Sequence, residues 1–186
     1  IVSHNIRTFG IGESLMAERV NDLFDAENPT VAPYAKDGEA LLRVTAMART
    51  KEEAENLCKP VINEIKNRLD GFVYGVDYTC IEEAVIEKLK EKHMKVATAE
   101  SCTGGMISHA ITSVPGASKY YLGSVTSYAI KIKEKVLGVP AEVIQSNGVV
   151  SSEVACAMAE GVKNLMQSTY AVATTGLAGP GGDEFN

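Results

Sequence analysis

Hydrophobic positions along the chain switch period several times, and each switch marks an element. His4–Phe9 reads as a strand that stops at Gly10-Ile11-Gly12. Leu15, Arg19, Val20, Leu23 and Phe24 then form a helical stripe from about Glu13 to Phe24, broken by Asn28-Pro29. Val31–Ala35 and Glu39–Ala48 flank Asp37-Gly38, a dipeptide suited to a tight hairpin turn, and Leu42, Val44, Ala46 and Ala48 share one face. Thr50 with Glu53 makes a capping box for a helix to about Leu69, in which Pro60 predicts a kink. Phe72–Tyr74 closes this unit as a short strand, with a seam at Gly75–Thr79.

Beyond the seam the pattern is strand and helix in alternation. Thr79 and Glu82 form a second capping box, and Ile81, Val85 and Leu89 give a helical face through His93. Lys95–Ala99 is a strand running into Glu100–Gly105 and a helix to about Thr112. Tyr121–Ser127 is a strand, Ala129–Leu137 a short helix and Val139–Gly148 a turn-rich connector. Ser151 caps a helix to about Gln167, and Tyr170–Thr174 is a strand that enters a glycine-rich loop. The prediction is an α/β protein: a small α/β domain over residues 1–77, then a domain over 78–186 with a mostly parallel sheet between helices.

Charge and composition narrow the function classes. Residues 1–77 hold 9 basic and 13 acidic side chains, and residues 78–186 hold 9 and 11. Neither half is a cationic surface, so no nucleic-acid partner is expected. Apolar runs fall short of the roughly 20 residues that span a bilayer, so no membrane partner is expected either. Cys58, Cys80, Cys102 and Cys156 are widely spaced and form no CxxC pair, which points to a reducing, cytoplasmic setting without a metal centre. The opening residues do not read as a charged-then-apolar leader, so secretion is not expected, and the chain, which opens on Ile1 and stops abruptly, reads as a piece of something longer.

In open α/β sheets, sites gather at the carboxyl ends of strands. Here one such end is Glu100-Ser101-Cys102-Thr103-Gly104-Gly105, where Ser101 or Cys102 can serve as nucleophile and backbone N–H groups can hold an oxyanion. The plain alternative is that Ser101 or Thr103 only caps a helix. The other end is Thr175–Gly182, whose glycines let backbone approach a ligand or simply make a surface turn. A serine needs a base. His109 falls two turns into the following helix and points away. Lys131 and Lys135 read as a solvated pair, whereas Lys133 shares a stripe with Ala129 and Leu137 and is the lysine to be buried. Tyr128 stands at a strand end, where its hydroxyl can pass a proton. Arg68 is the last arginine, so a phosphate in the second domain would fall to lysine or backbone N–H groups.

Ala99–Gly105, Val114-Pro115-Gly116-Ala117-Ser118, Ser127-Tyr128, Leu137-Gly138-Val139, Gly148-Val149-Val150-Ser151, Met158-Ala159-Glu160-Gly161 and Thr175–Gly182 occur in the order of the C-terminal amidase domain of the CinA (competence/damage-inducible) family, which the chain resembles. Thr8–Ser14, Asn28–Ala32 and Tyr34–Glu39 resemble that family's middle, KH-like domain. The resemblance implies a KH-like α/β domain followed by a three-layer α/β/α sandwich. It further implies deamidation of nicotinamide mononucleotide to nicotinate mononucleotide and ammonia, a salvage step for NAD, with no metal or cofactor. Matching positions make Ser101, Tyr128 and Lys133 catalytic; Thr103, Gly104, Gly105, Thr175, Gly176, Gly179 and Gly181 would contact the pyridine-nucleotide substrate.

The chain departs from the family in three ways. It lacks the sheet, helix and arginine that follow the glycine-rich loop. It also lacks the N-terminal domain of long members, which is linked to ADP-ribose hydrolysis. Gly10-Ile11-Gly12 is not a GxxG clamp, so RNA binding does not carry over. Exposed strand edges make a homodimer the expected assembly. The competing readings are a thiol amidase with Cys102 as nucleophile and a non-catalytic nucleotide-binding or assembly module, in which residues 1–77 mediate self-association.

Overall fold

The computed structural model describes residues 1–36, 38–177 and 179–181, and divides into two compact units at Ala84/Val85. In the first, β1 (Val2–Thr8), β2 (Thr30–Lys36), β3 (Glu39–Ala46) and β4 (Val73–Val76) form an antiparallel sheet in the order β2-β3-β1-β4. Alternation along β3 puts Leu42, Val44 and Ala46 on the buried face, and Ile6 of β1 pairs opposite Leu42. That face packs against α1 (Glu13–Arg19) through Met16 and against α2 (Lys51–Arg68) through Ala54, Cys58, Ile62 and Ile65. The Thr50–Glu53 capping box opens α2 as the sequence predicts. Pro60 does not divide the helix, because its residue lies on the exposed side, where the carbonyl it leaves unbonded can meet water.

Two expectations for this region change. The stripe from Glu13 to Phe24 is not one helix: α1 stops at Arg19, and a 3₁₀ turn covers Asn21–Asp25. The hairpin forms, with Gly38 at φ 74°, while Asp37 lies outside the described residues. At the seam, Thr79 pairs with Glu83 rather than Glu82; its N–H and hydroxyl donate to Glu83 Oε2 at 2.7 and 2.8 Å. That carboxylate guards the start of α3 (Ile81–Glu91).

In the second unit, β5 (Val96–Glu100), β6 (Tyr121–Thr126) and β7 (Tyr170–Thr174) form a fully parallel sheet in the order β6-β5-β7. Alternate residues of the buried central strand feed opposite layers. Ala97 and Ala99 pack with Leu137 of α5 (Ile130–Leu137), Ile144 of α6 (Ala141–Asn147) and Val154, Met158 and Val162 of α7 (Ser152–Met166). Val96 packs with Ile86 and Leu89 of α3 and Ile111 of α4 (Met106–Thr112). The result is the three-layer sandwich. The connector Val139–Gly148 is corrected: α6 occupies most of it, opened by Pro140 at its N-cap, a position that tolerates the missing N–H of proline. Small residues bring α5 and α7 together, since an added Cβ at Gly161 would lie 2.0 Å from the Leu137 carbonyl oxygen.

Candidate active site

The carboxyl ends of β5 and β6 deliver the two central side chains. Ser101 follows β5 directly and its N–H donates to the carbonyl of Thr174 at the end of β7 (3.0 Å). Lys133 lies on α5 one turn before Leu137; both are buried, and Lys131 and Lys135 are exposed, as the stripe predicts. Lys133 is completely buried, and its Nζ reaches the Ser101 Oγ at 2.8 Å. Carbonyl oxygens of Ser127 and Tyr128 accept from the same nitrogen at 2.6 and 3.4 Å.

This environment works against the charged form of the amine. Burial disfavours the ammonium and holds the Lys133 pKa below the usual 10.5, against a smaller upward pull from Cys102. Once deprotonated, Lys133 keeps two N–H donors for the two carbonyls and turns its lone pair to the Ser101 hydroxyl. That is the arrangement of a general base beside a nucleophile.

Tyr128 contributes its main-chain oxygen to this pair. Its ring is 69% exposed, and its hydroxyl makes no hydrogen bond among the described residues. His109 is exposed on α4. Cys102 is an exposed free thiol next to Ser101 and makes no hydrogen bond with Lys133.

The anion-holding part of the turn differs from expectation. The Gly104 N–H donates to the Ser101 carbonyl (3.0 Å), and the Gly105 N–H donates to Glu100 Oε2 (3.1 Å), so neither is free for an oxyanion. The N–H groups of Cys102 and Thr103 have no acceptor among the described residues, and they follow directly on Ser101. Cys102 and Thr103 also line an open cleft of about 500 Å³, together with Ser151, Ser152, Thr174 and Thr175. The Thr175 hydroxyl donates to the Val149 carbonyl (2.9 Å), and a Cβ on Gly176 would meet Cys102 Sγ at 2.9 Å. Gly179 and Gly181 face open space, outside the cleft lining, and Ala178 and Gly182 lie outside the described residues.

Sequence reasoning missed Glu100. Its side chain is fully buried at the end of β5, where five donors surround the carboxylate: Thr103 Oγ1, Gly105 N and Ile107 N on Oε2 (2.8, 3.1 and 3.0 Å), and Ser108 N and Ser124 Oγ on Oε1 (2.9 and 3.4 Å). Burial alone would push its pKa up, but hydrogen bonds from Ser108, Thr103, Ile107 and Gly105 outweigh it and hold the carboxyl below the usual range. The signal was available. A carboxylate ends an otherwise uncharged strand just ahead of a helix whose N-cap, Gly105, has no side chain with which to cap it.

Comparison with known proteins identifies the lineage. Residues 79–186 match the family described as CinA C-terminal domain, and residues 3–75 match the damage-inducible protein CinA KH domain. The chain belongs to the CinA family. It is 49% identical over 183 residues to a CinA-like protein of Dictyoglomus thermophilum, covering 98% of this chain and 44% of that protein. A CinA-like protein of Desulfovibrio desulfuricans is 46% identical over 182 residues, with 98% and 43% covered. The chain therefore spans less than half the length of these relatives. Among solved structures, the competence/damage inducible protein CihA of Agrobacterium tumefaciens is 37% identical, with a TM-score of 0.53 over 55% of this chain and 62% of that one. The CinA superfamily protein of Escherichia coli is 30% identical, with a TM-score of 0.55 over 56% and 60%. Among the described residues no helix is long and apolar enough to cross a membrane, and no group of three His, Cys, Asp or Glu could hold a metal ion.

Proposed function

We propose that the C-terminal unit carries a Ser–Lys amidase site that deamidates nicotinamide mononucleotide to nicotinate mononucleotide and ammonia, a step that returns the pyridine ring to NAD synthesis. The observation that carries this reading is the buried Lys133 Nζ 2.8 Å from the Ser101 Oγ. In the first half-reaction the Ser101 oxygen attacks the carboxamide carbon and its proton passes to neutral Lys133. The N–H groups of Cys102 and Thr103 receive the negative charge that develops on the carboxamide oxygen. The C–N bond then breaks, and the nitrogen departs as ammonia with the proton from Lys133. Tyr128, whose main-chain oxygen accepts from Lys133, relays that proton to the leaving group through its exposed hydroxyl. Water attacks the resulting ester and gives its proton to Lys133, which passes it to the Ser101 oxygen as the acyl C–O bond breaks and the nicotinate product leaves. The cleft beside Cys102 and Thr103, with Thr175 in its lining, accommodates the nucleotide.

Among the described residues no base hydrogen-bonds to the rival nucleophile, Cys102, whereas Lys133 does so to Ser101. The test is product analysis with the full-length protein that contains this chain. Nicotinate mononucleotide and ammonia should appear in equal amounts, and Cys102→Ala should retain turnover. Turnover abolished by Cys102→Ala, or a product other than the acid, would overturn the reading.

A further inference from the structure

We infer that Glu100 is the positioning residue of this site, holding the Ser101 turn and the Lys133 segment in mutual register; the inference rests on the Ser–Lys reading above. The carboxylate ties together three elements that meet at the nucleophile. Through Gly105, Ile107 and Ser108 it satisfies the first N–H groups of α4, which Gly105 cannot cap. Through Thr103 it grips the loop two residues beyond Ser101, and through Ser124 it reaches β6.

The main chain of the same residue completes the link. The Glu100 carbonyl accepts from Ser127 N–H at 2.7 Å, and the Ser127 carbonyl accepts from Lys133 Nζ at 2.6 Å. Glu100 thus touches the nucleophile's turn with its side chain and the base's support with its backbone. Among the described residues, the N–H groups drawn onto Glu100 and onto Ser101 O are consumed, which leaves those of Cys102 and Thr103 for an oxyanion.

Charge placement fits a positioning role. A carboxylate next to Lys133 would favour its ammonium and disable it as a base. Glu100 is instead surrounded by donors of α4, Thr103 and Ser124, and the influences on Lys133 come from burial and Cys102. Glu100 can therefore be charged without protonating the base.

The test uses an alkyl fluorophosphonate, which reads the pair without its substrate. Ser101 oxygen bonds to phosphorus, the P–F bond breaks, fluoride leaves and Lys133 takes the serine proton. Labelling rate at Ser101 is followed by mass spectrometry across pH in the full-length protein, well below the melting temperature. In Glu100→Gln the plateau rate should fall about 10- to 100-fold, the loss expected when reacting groups shift by about 1 Å, while the midpoint set by Lys133 stays in place. A role in stability alone would leave the plateau of folded protein unchanged. A Glu100→Gln plateau equal to the parent's overturns the inference and leaves the Ser–Lys reading standing; a parent that resists labelling at Ser101 overturns both. If Glu100→Gln does not fold, Thr103→Val removes one donor from the same oxygen. A lowered plateau supports the inference, and a parental one overturns it.

Discussion

Gly161→Ala should loosen the second unit and weaken its chemistry through a helix contact outside the cleft. An ideal Cβ at position 161 would sit 2.0 Å from the Leu137 carbonyl oxygen, 2.8 Å from its carbon and 3.1 Å from its Cα. Ordinary contacts of this kind lie at roughly 3.5 Å, so α7 must move more than about 1 Å from α5. The obstructing atoms are backbone and cannot rotate away. Overpacking of this sort costs typically 1–3 kcal/mol, and the rigid obstacle puts this case at the upper end. Alanine returns up to about 1 kcal/mol in helix propensity. The net loss is about 2 kcal/mol, or roughly 8–16 °C in the melting temperature of a unit of this size. Lys133 lies one turn before Leu137 on α5, so the same displacement should lower Ser101 reactivity. Calorimetry of the full-length protein, with fluorophosphonate labelling, checks both effects. Melting within a degree of the parent and an unchanged labelling rate would refute the contact argument. Gly138→Ala makes a useful contrast: nothing lies within 4 Å of its added Cβ, and only the strain at φ 69° should register, about 1–2 kcal/mol.

Other expectations concern titration and buried charge. Ser101 labelling should rise with pH to a midpoint below 10.5, because neutral Lys133 is the active form and burial lowers its pKa; Lys133→Arg should abolish the rise, since a guanidinium does not deprotonate. His4, bonded to Asp77 (2.6 Å) and Glu55 (2.9 Å), has its pKa raised above 6.5 chiefly by the hydrogen bond it donates to Asp77. Its stabilisation of the first unit is complete below 6.5 and is lost as pH rises through the raised value, and His4→Gln should flatten that dependence in urea melts. Arg7 is buried against Glu39 and donates to the carbonyls of Tyr78 and Thr79 at 2.9 and 2.7 Å. Arg7→Met should cost the first unit about 3 kcal/mol, the low end for breaking a buried pair, because Glu39 loses its guanidinium but keeps the Tyr74 hydroxyl (2.6 Å), as read from its urea midpoint.

Much of the architecture was legible because local signals agreed with tertiary demands. The Thr50–Glu53 box, the Asp37-Gly38 hairpin signal and the strand at Tyr170–Thr174 are short-range patterns, and the strands and helix they predict form as read. The burial of Lys133 follows from its stripe with Leu137. What escaped depends on contacts across the chain. No periodicity announces that Glu100 will cap α4 from five residues upstream, or that this takes the Gly105 N–H away from a substrate. The 3₁₀ turn at Asn21–Asp25 keeps an apolar spacing close to that of a helix, so the stripe through Leu23 and Phe24 reads as α. On either side of α6, Pro140 and Gly148 read as connector residues although they cap a helix. Gly161 belongs to the CinA motif, but its reason, a carbonyl of α5 at contact, needs the fold.

The central claim is that Ser101, activated by Lys133, carries an amidase reaction. Its most direct test is ammonia release from nicotinamide mononucleotide by the full-length protein beside Ser101→Ala, with circular dichroism confirming that both are folded. The account predicts steady release matched by nicotinate mononucleotide in the parent and none above the uncatalysed rate in the variant. Equal release from both proteins, or none from the folded parent, would contradict it.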